Sequence, residues 1–446
     1  MKGIDRARIK MLLQREEARY IKERPKSRAL FEKAKDSLYE GVPMSWMGKW
    51  VGPFPIFVEV AEGIHVTDVD GHRYLDMCLG DTGSLFGHLP AALGNAATKL
   101  ARRGITTMLP TEDSIRVGEE LSRRFGLKYW QIYMTASDAN RFALRIARQI
   151  TKRNLILVFD GCYHGNVEDT LVNYRRERIM GQPPDISLTT RVIQFNDLEA
   201  LEVALSPGDV ACVICEPAMT DVGIIYPDLG YHEALREKTR RYGTLLIIDE
   251  THTICGGPAG LTGEWNLAPD ILTLGKPIAG GIPAAVMGLS SDVAERFSVG
   301  RSKEWNMGLG GTLSGNPLAV AAIRMVLEQV MTKAAYDHMI PLAERLTASI
   351  DGAIKNAGLP WYVVRLGCRV EYRYLPTPPK NGAEAIAAYD TELDELVHLF
   401  FTNRGILITP FHNMLLVAPE TTAEDIELHS SVFSEFVEEL GVGGKT

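Results

Sequence analysis

The chain has 446 residues, more than the ~250–300 at which a single hydrophobic core stops growing, so two domains, or one large domain with a smaller appendage, are expected. Its 48 basic and 56 acidic residues leave a net charge of −8, which offers no broad positive footprint for nucleic acid and favours work on small molecules. The six cysteines are scattered and mostly inside apolar runs, as reduced thiols in a cytoplasmic protein are; the charged N-terminus lacks a signal peptide's apolar centre, and no stretch nears the ~20 apolar residues of a membrane span.

Residues 4 to 38 are densely charged, with Ile9, Leu12, Leu13, Ala18 and Ile21 at helical spacing, and predict an amphipathic helix packed on the body or on a partner subunit. Residues 57 to 76 alternate like a hairpin, with Asp68-Val-Asp-Gly71 turning between Ile64-His-Val-Thr67 and Arg73-Tyr-Leu-Asp76. From about 90 to 325, short apolar runs alternate with helical patterns, the rhythm of an α/β domain with a mostly parallel sheet. The runs are Gln131–Met134, Leu155–Phe159, Val192–Phe195, Ala211–Cys215, Leu245–Ile248, Ile271–Leu274 and Ala284–Met287. Cys212 and Cys215 lie three apart in one run, on opposite faces of a strand, which argues against a redox pair. A long helical stretch from Pro317 to about Ile354 leads into a strand region at Trp361–Leu375, a helix at Ala385–Asn403, a strand at Gly405–Thr409 and a last helix from Thr422. The expected organisation is an N-terminal helix and hairpin over 1–75, a large domain over 76–330 and a small α+β domain over 331–446.

In open sheets of this kind ligands sit beyond the carboxyl ends of the strands, followed here by Thr135, Asp160, Asn196, Glu216, Asp249 and Lys276. Lys276 ends the run Asp270-Ile-Leu-Thr-Leu-Gly-Lys276 before a glycine cluster, and is either a solvated strand end or a reactive amine. Leu245-Leu-Ile-Ile-Asp249-Glu-Thr-His252 is built the same way and brings an acid to the same sheet edge. An amine for a Schiff base and an acid for a pyridinium nitrogen are what a protein must supply to pyridoxal 5′-phosphate. Met134-Thr-Ala-Ser-Asp138-Ala-Asn140 opens a helix whose start offers amides and hydroxyls to a phosphate, and no metal is called for.

These segments, with Phe159-Asp-Gly-Cys-Tyr163-His-Gly165, Glu216-Pro217 and Gly311-Thr-Leu-Ser-Gly-Asn-Pro317, resemble the class III (subgroup II) aminotransferases from about Pro53 onward. The resemblance implies a fold type I PLP-dependent transferase with a mostly parallel central sheet in a large domain and a smaller α+β C-terminal domain. It implies that Lys276 carries the cofactor and moves the substrate proton, and that Asp249 pairs with the ring nitrogen. It places Tyr163 and Thr251 on the two ring faces, Ala136 and Ser137 at the phosphate, and His164 and Glu216 beside the cofactor. His252 stands where a glutamine is usual, and either donates to the phenolic oxygen or is satisfied by backbone. Thr312 would reach the phosphate of a neighbouring subunit, so a homodimer with the active site at its interface follows.

Asp68-Val-Asp-Gly71, Phe195-Asn-Asp-Leu-Glu199 and Arg404-Gly-Ile are most similar to the glutamate-1-semialdehyde aminomutase-like branch, yet Pro43-Met-Ser-Trp-Met-Gly-Lys-Trp50 has no arginine where the mutases hold a substrate carboxylate. Amino transfer between separate amine and carbonyl substrates is therefore expected, with a mutase, or a non-catalytic binding protein on the same fold, as alternatives. Trp46, Trp50, Phe411 and His412 are expected to line a partly apolar substrate pocket; the other reading makes them core and gives a carboxylate to Arg175, Arg176, Arg178 or Arg369.

Overall fold

The computed structural model describes residues 4–94, 102, 104–171, 182, 185–299, 308–410 and 412–441. Its strands in chain order are β1 (Val58–Glu62), β2 (His65–Asp68), β3 (Arg73–Asp76), β4 (Tyr129–Tyr133), β5 (Leu155–Phe159), β6 (Thr190–Ile193), β7 (Val210–Cys215), β8 (Leu245–Asp249), β9 (Ile271–Leu274), β10 (Ala285–Leu289), β11 (Tyr362–Leu366), β12 (Arg369–Arg373), β13 (Ile406–Leu407) and β14 (Met414–Leu416). They belong to two compact units.

The larger unit comprises Pro90–Tyr336 and Pro379–Ala387 and is built on a sheet of order β4-β10-β9-β8-β7-β5-β6. Neighbours from β9 to β6 pair in parallel, and only β10 runs against its neighbours. Strands β5, β7, β8, β9 and β10 are buried on both faces, which is why they read as apolar runs rather than alternating ones. Ile156, Val158, Ile214, Ile247 and Met287 pack on Ala139, Ala143 and Ile146 of helix Ala136–Thr151, while Leu157, Phe159, Val213, Leu246 and Ile248 pack with Tyr231 and Leu235 on the other face. Each such fully buried aliphatic side chain contributes about 1.5–3 kcal/mol. Cys212 belongs to the first face and Cys215 to the second. Burial pushes the Cys212 thiol up to about 12, so it is neither paired nor reactive at neutral pH. All seven expected runs overlap strands, with β6 beginning and ending two residues before its run. Strand β4 ends at Tyr133, ahead of Met134, because the Thr135 hydroxyl already accepts the Asp138 N–H and starts the next helix.

The smaller unit joins Met1–Leu89 to Asp337–Pro378 and Ala388–Thr446. The expected boundaries at 75/76 and 330/331 thus fall at 89/90 and 336/337, and the N- and C-terminal segments share one unit. The reason is pairing at long range: β13 runs parallel to β3, with Ile406 opposite Leu75, and Tyr20 and Phe54 pack on Leu399. A separate sheet of order β11-β12-β14 supports helix Ala423–Glu439 through Tyr372 and Phe433.

The single N-terminal helix expected over 4–38 is two, Arg6–Glu23 and Pro25–Ala34, because Pro25 has no N–H to continue the first. The first helix buries Ile9, Leu12, Glu16 and Tyr20 and leaves Ala18 exposed. Glu16 is admitted because Asn403 donates to it at 2.9 Å and Arg404 pairs with it at 3.3 Å. The long helix from Pro317 is likewise broken, by a π turn at Val326–Val330 before Lys333–Asn356. Among the described residues no helix is long and apolar enough to cross a membrane.

Candidate active site

Asp249 is the last residue of β8 and is 3% exposed. An isolated carboxylate there would be costly, so its partners decide its state. Oδ2 accepts from Asn140 Nδ2 at 2.8 Å and meets His164 Nδ1 at 3.1 Å, and Oδ1 accepts the Thr251 N–H at 3.1 Å. Burial works to raise this carboxyl, but His164, Thr251 and Asn140 outweigh it and hold it below the usual carboxylate range. Asp249 is a fixed, buried anion at neutral pH.

Asn140 is wholly buried on the apolar face of helix Ala136–Thr151, fixed by a 2.6 Å hydrogen bond from Thr273 and donating to the His164 carbonyl at 3.1 Å. Neither Asn140 nor Thr273 was expected in this role. The available signal is that each is a lone polar residue in an apolar pattern, at helix positions shared with Ala139 and Ala143 and inside Ile271-Leu-Thr-Leu274. His164, expected beside the cofactor, has its Nδ1 on Asp249; its Nε2 is buried without a partner among the described residues.

Lys276 follows β9 and opens a 3-10 turn with φ of 45°, a conformation that non-glycine residues seldom adopt and that costs about 1–3 kcal/mol. The preceding Gly275 is tied to the neighbouring strand end, its N–H donating to Thr251 Oγ1 at 3.2 Å. Thr251 therefore links the acid of β8 to the lysine after β9. Lys276 Nζ lies 2.6 Å from His252 Nε2.

Three segments meet at the start of helix Ala136–Thr151. A Cβ at Gly275 would come within 2.8 Å of the Ala136 Cβ, and one at Gly165 within 2.2 Å of Ser137 Oγ, where φ of 81° also selects glycine. Ser137 Oγ accepts the Asn166 N–H at 3.0 Å. Helix geometry gives the Ala136 and Ser137 N–H groups no intrahelical acceptor, and the helix dipole favours an anion there. Alanine at 136 is thus accommodated by glycine at 275.

Other expected site residues are placed differently. Tyr163 is half-buried and donates to Asn166 at 3.2 Å. Glu216, 3% exposed, folds back to accept from the Thr220 hydroxyl and, at 3.2 Å, from its N–H. Thr312 is exposed in the turn before helix Pro317–Met325. In the smaller unit, Trp46 is 39% exposed, and Trp50 packs on Val66, Tyr74 and Leu407 as core, the less functional of its two readings. His412 is 4% exposed, with Nδ1 2.8 Å from Glu371 Oε1 on β12, so its ring is engaged with a buried carboxylate. Arg369, wholly buried, lies 3.1 Å from the same Glu371. Phe411, Arg175, Arg176 and Arg178 lie outside the described residues.

A buried anion, an amine at the adjacent strand end, a helix start packed on two glycines and an unfilled ring nitrogen at His164 together fit a pyridinium ring with a phosphate. Comparisons with known proteins agree. The profile described as Aminotransferase class-III matches residues 46–434. Glutamate-1-semialdehyde 2,1-aminomutase of Sorangium cellulosum is 32% identical over 418 residues, covering 90% of this chain and 94% of that protein. A glutamate-1-semialdehyde-aminomutase from Pseudomonas aeruginosa PAO1 superposes with a TM-score of 0.94 at 45% identity, covering 98% of this chain and 100% of that one, and a lysine-to-alanine variant of that protein is known in complex with PMP. A β-phenylalanine aminotransferase from Variovorax paradoxus, at 24% identity and a TM-score of 0.88 over 97% and 98% of the two chains, shares the fold. The chain belongs to the class-III aminotransferase family, pyridoxal-phosphate enzymes of fold type I.

Proposed function

We propose that this chain binds pyridoxal 5′-phosphate beyond the carboxyl ends of β8 and β9 and moves an amino group between adjacent carbons of one small substrate, as a 2,1-aminomutase does. The observation that carries the intramolecular reading is the 45% identity over 98% of the chain to the Pseudomonas aeruginosa protein, with curated aminomutases at 32% beside it. This reverses the order expected from the sequence, where transfer between separate substrates came first. The substrate class is a short α-amino aldehyde with a carboxylate, such as glutamate-1-semialdehyde.

When bound, the cofactor supplies an electron sink for the carbon that loses its proton. Asp249, ionised and buried, favours a protonated ring nitrogen by charge. Lys276 would anchor the cofactor and serve as the base and acid for the proton of the reacting substrate carbon. The Ala136 and Ser137 N–H groups and the Ser137 hydroxyl bind the phosphate. Thr251 keeps the acid and the lysine in register, which matters because sub-ångström placement of reacting groups controls rate. The protein is proposed to be cytoplasmic and to act as a homodimer, with exposed Thr312 offered to the phosphate of the other copy.

Transfer between an amine donor and a carbonyl acceptor remains the second reading, favoured by the absence of arginine in Pro43–Trp50 and by the engagement of Arg369 with Glu371. Loading the protein with the amine form of the cofactor and giving it glutamate-1-semialdehyde alone separates the two. Catalytic isomerisation at constant mass supports the mutase. A protein inert to that substrate that turns over an amine donor with pyruvate or 2-oxoglutarate is a transaminase.

A further inference from the structure

The 2.6 Å contact between Lys276 Nζ and His252 Nε2 sets an amine and an imidazole nitrogen at hydrogen-bond distance. At that distance a proton carried by one nitrogen is within hydrogen-bond reach of the lone pair of the other. The contact is rigidly supported from both sides. On the β8 side, the turn carrying His252 is bolted by Glu250, which is wholly buried and accepts from the Thr253 hydroxyl at 2.6 Å, from the Leu261 N–H at 3.3 Å and from the Thr262 N–H. Asp249 fixes the residue before His252 by accepting the Thr251 N–H at 3.1 Å. On the β9 side, the left-handed backbone at Lys276, followed by Pro277, aims the side chain from a turn that Gly275 fixes through Thr251.

We propose that His252 is the proton acceptor of Lys276. Resting on the reading of Lys276 as the reactive amine, the step is a transfer in which an N–H bond of the ammonium breaks, an N–H bond at imidazole Nε2 forms, and the lysine lone pair becomes available to attack a carbonyl carbon. When Lys276 must again act as an acid, the proton returns by the reverse path. A glutamine at this position would hold a hydrogen bond but could not take the proton, so histidine and glutamine here differ in chemistry as well as in shape.

The test is made on cofactor-free protein, so that turnover plays no part. Acetylation of Lys276 by acetic anhydride is followed by peptide mass spectrometry at near-neutral pH, with exposed lysines of the same sample as internal reference, in the parent, His252→Gln and His252→Ala. The proposal expects Lys276 in His252→Gln to react at least about tenfold more slowly than in the parent, relative to the reference lysines, and expects free imidazole to restore the rate in His252→Ala. Circular dichroism and the reference lysines report whether each variant is folded; if His252→Gln fails to fold, imidazole rescue of His252→Ala decides. An unchanged Lys276 rate in folded His252→Gln, or no rescue by imidazole, overturns the proposal. Borohydride trapping of pyridoxal phosphate on parent Lys276 separates this failure from failure of the functional reading: trapping with a His252-independent rate refutes the inference alone, and no trapping refutes both.

Discussion

His429, on helix Ala423–Glu439, is wholly buried with its ring 6.1 Å from Phe433 and 5.2 Å from Phe401, and neither ring nitrogen has a partner among the described residues. Burial pushes its imidazole down from 6.5 to about 3. The folded state therefore holds it neutral while the unfolded chain takes up a proton below pH ~6.5, so stability falls as pH drops from 6.5 and the loss is complete only below about 3. At about 1.36 kcal/mol per unit, this one residue removes about 2 kcal/mol between pH 7 and pH 5. His429→Leu keeps the volume, deletes two unsatisfied polar atoms and should raise stability at pH 7 by ~1–2 kcal/mol. It should also cut the acid loss between pH 7 and 5 by about 2 kcal/mol relative to the parent. Urea unfolding of both proteins at the two pH values, compared as midpoint differences, reads this directly. Equal acid sensitivity in parent and variant would show that His429 titrates normally in the fold and would refute the reasoning.

Asp249→Asn should retain the cofactor but lose at least about 100-fold in rate, since a neutral amide cannot favour a charged ring nitrogen; single-turnover kinetics check this, and a near-parental rate places the electrostatic role elsewhere. Asn140→Ala removes a hydrogen bond to the buried Asp249 anion and should cost about 1.5–3 kcal/mol, read by thermal or urea unfolding, with weaker cofactor binding at equilibrium. Thr312→Ala should leave the stability of the chain nearly unchanged, because the side chain is exposed, while lowering pyridoxal-phosphate affinity in the dimer; unaltered affinity by equilibrium dialysis contradicts the proposed reach to the other copy.

The sheet was legible because strands buried on both faces are written as continuous apolar runs, and Asp249 and Lys276 were legible because each ends such a run with a charge. What could not be read was contact across distance. Asn140 reaches Asp249, and His252 reaches Lys276, from other elements of the fold, so spacing along the chain carries no trace of either bond. The same limit hid the contact of His412 with a buried glutamate on β12. The helix breaks at Pro25 and at Val326–Val330 show the two cases apart: the proline was visible in the chain, whereas no residue type in the chain marks the π turn. The expectation of a transaminase rested on one missing arginine, a local absence, whereas the proposed mutase reading rests on relatives matched along nearly the whole chain.

The central claim is that Lys276, beside Asp249 at the edge of the parallel sheet, is the residue that holds the cofactor. Reducing the protein with borohydride in the presence of pyridoxal 5′-phosphate, digesting it and locating the added mass tests this most directly. The account predicts one phosphopyridoxyl group per chain, on Lys276, and none in Lys276→Ala; a group on another lysine, or no specific addition at all, would contradict it.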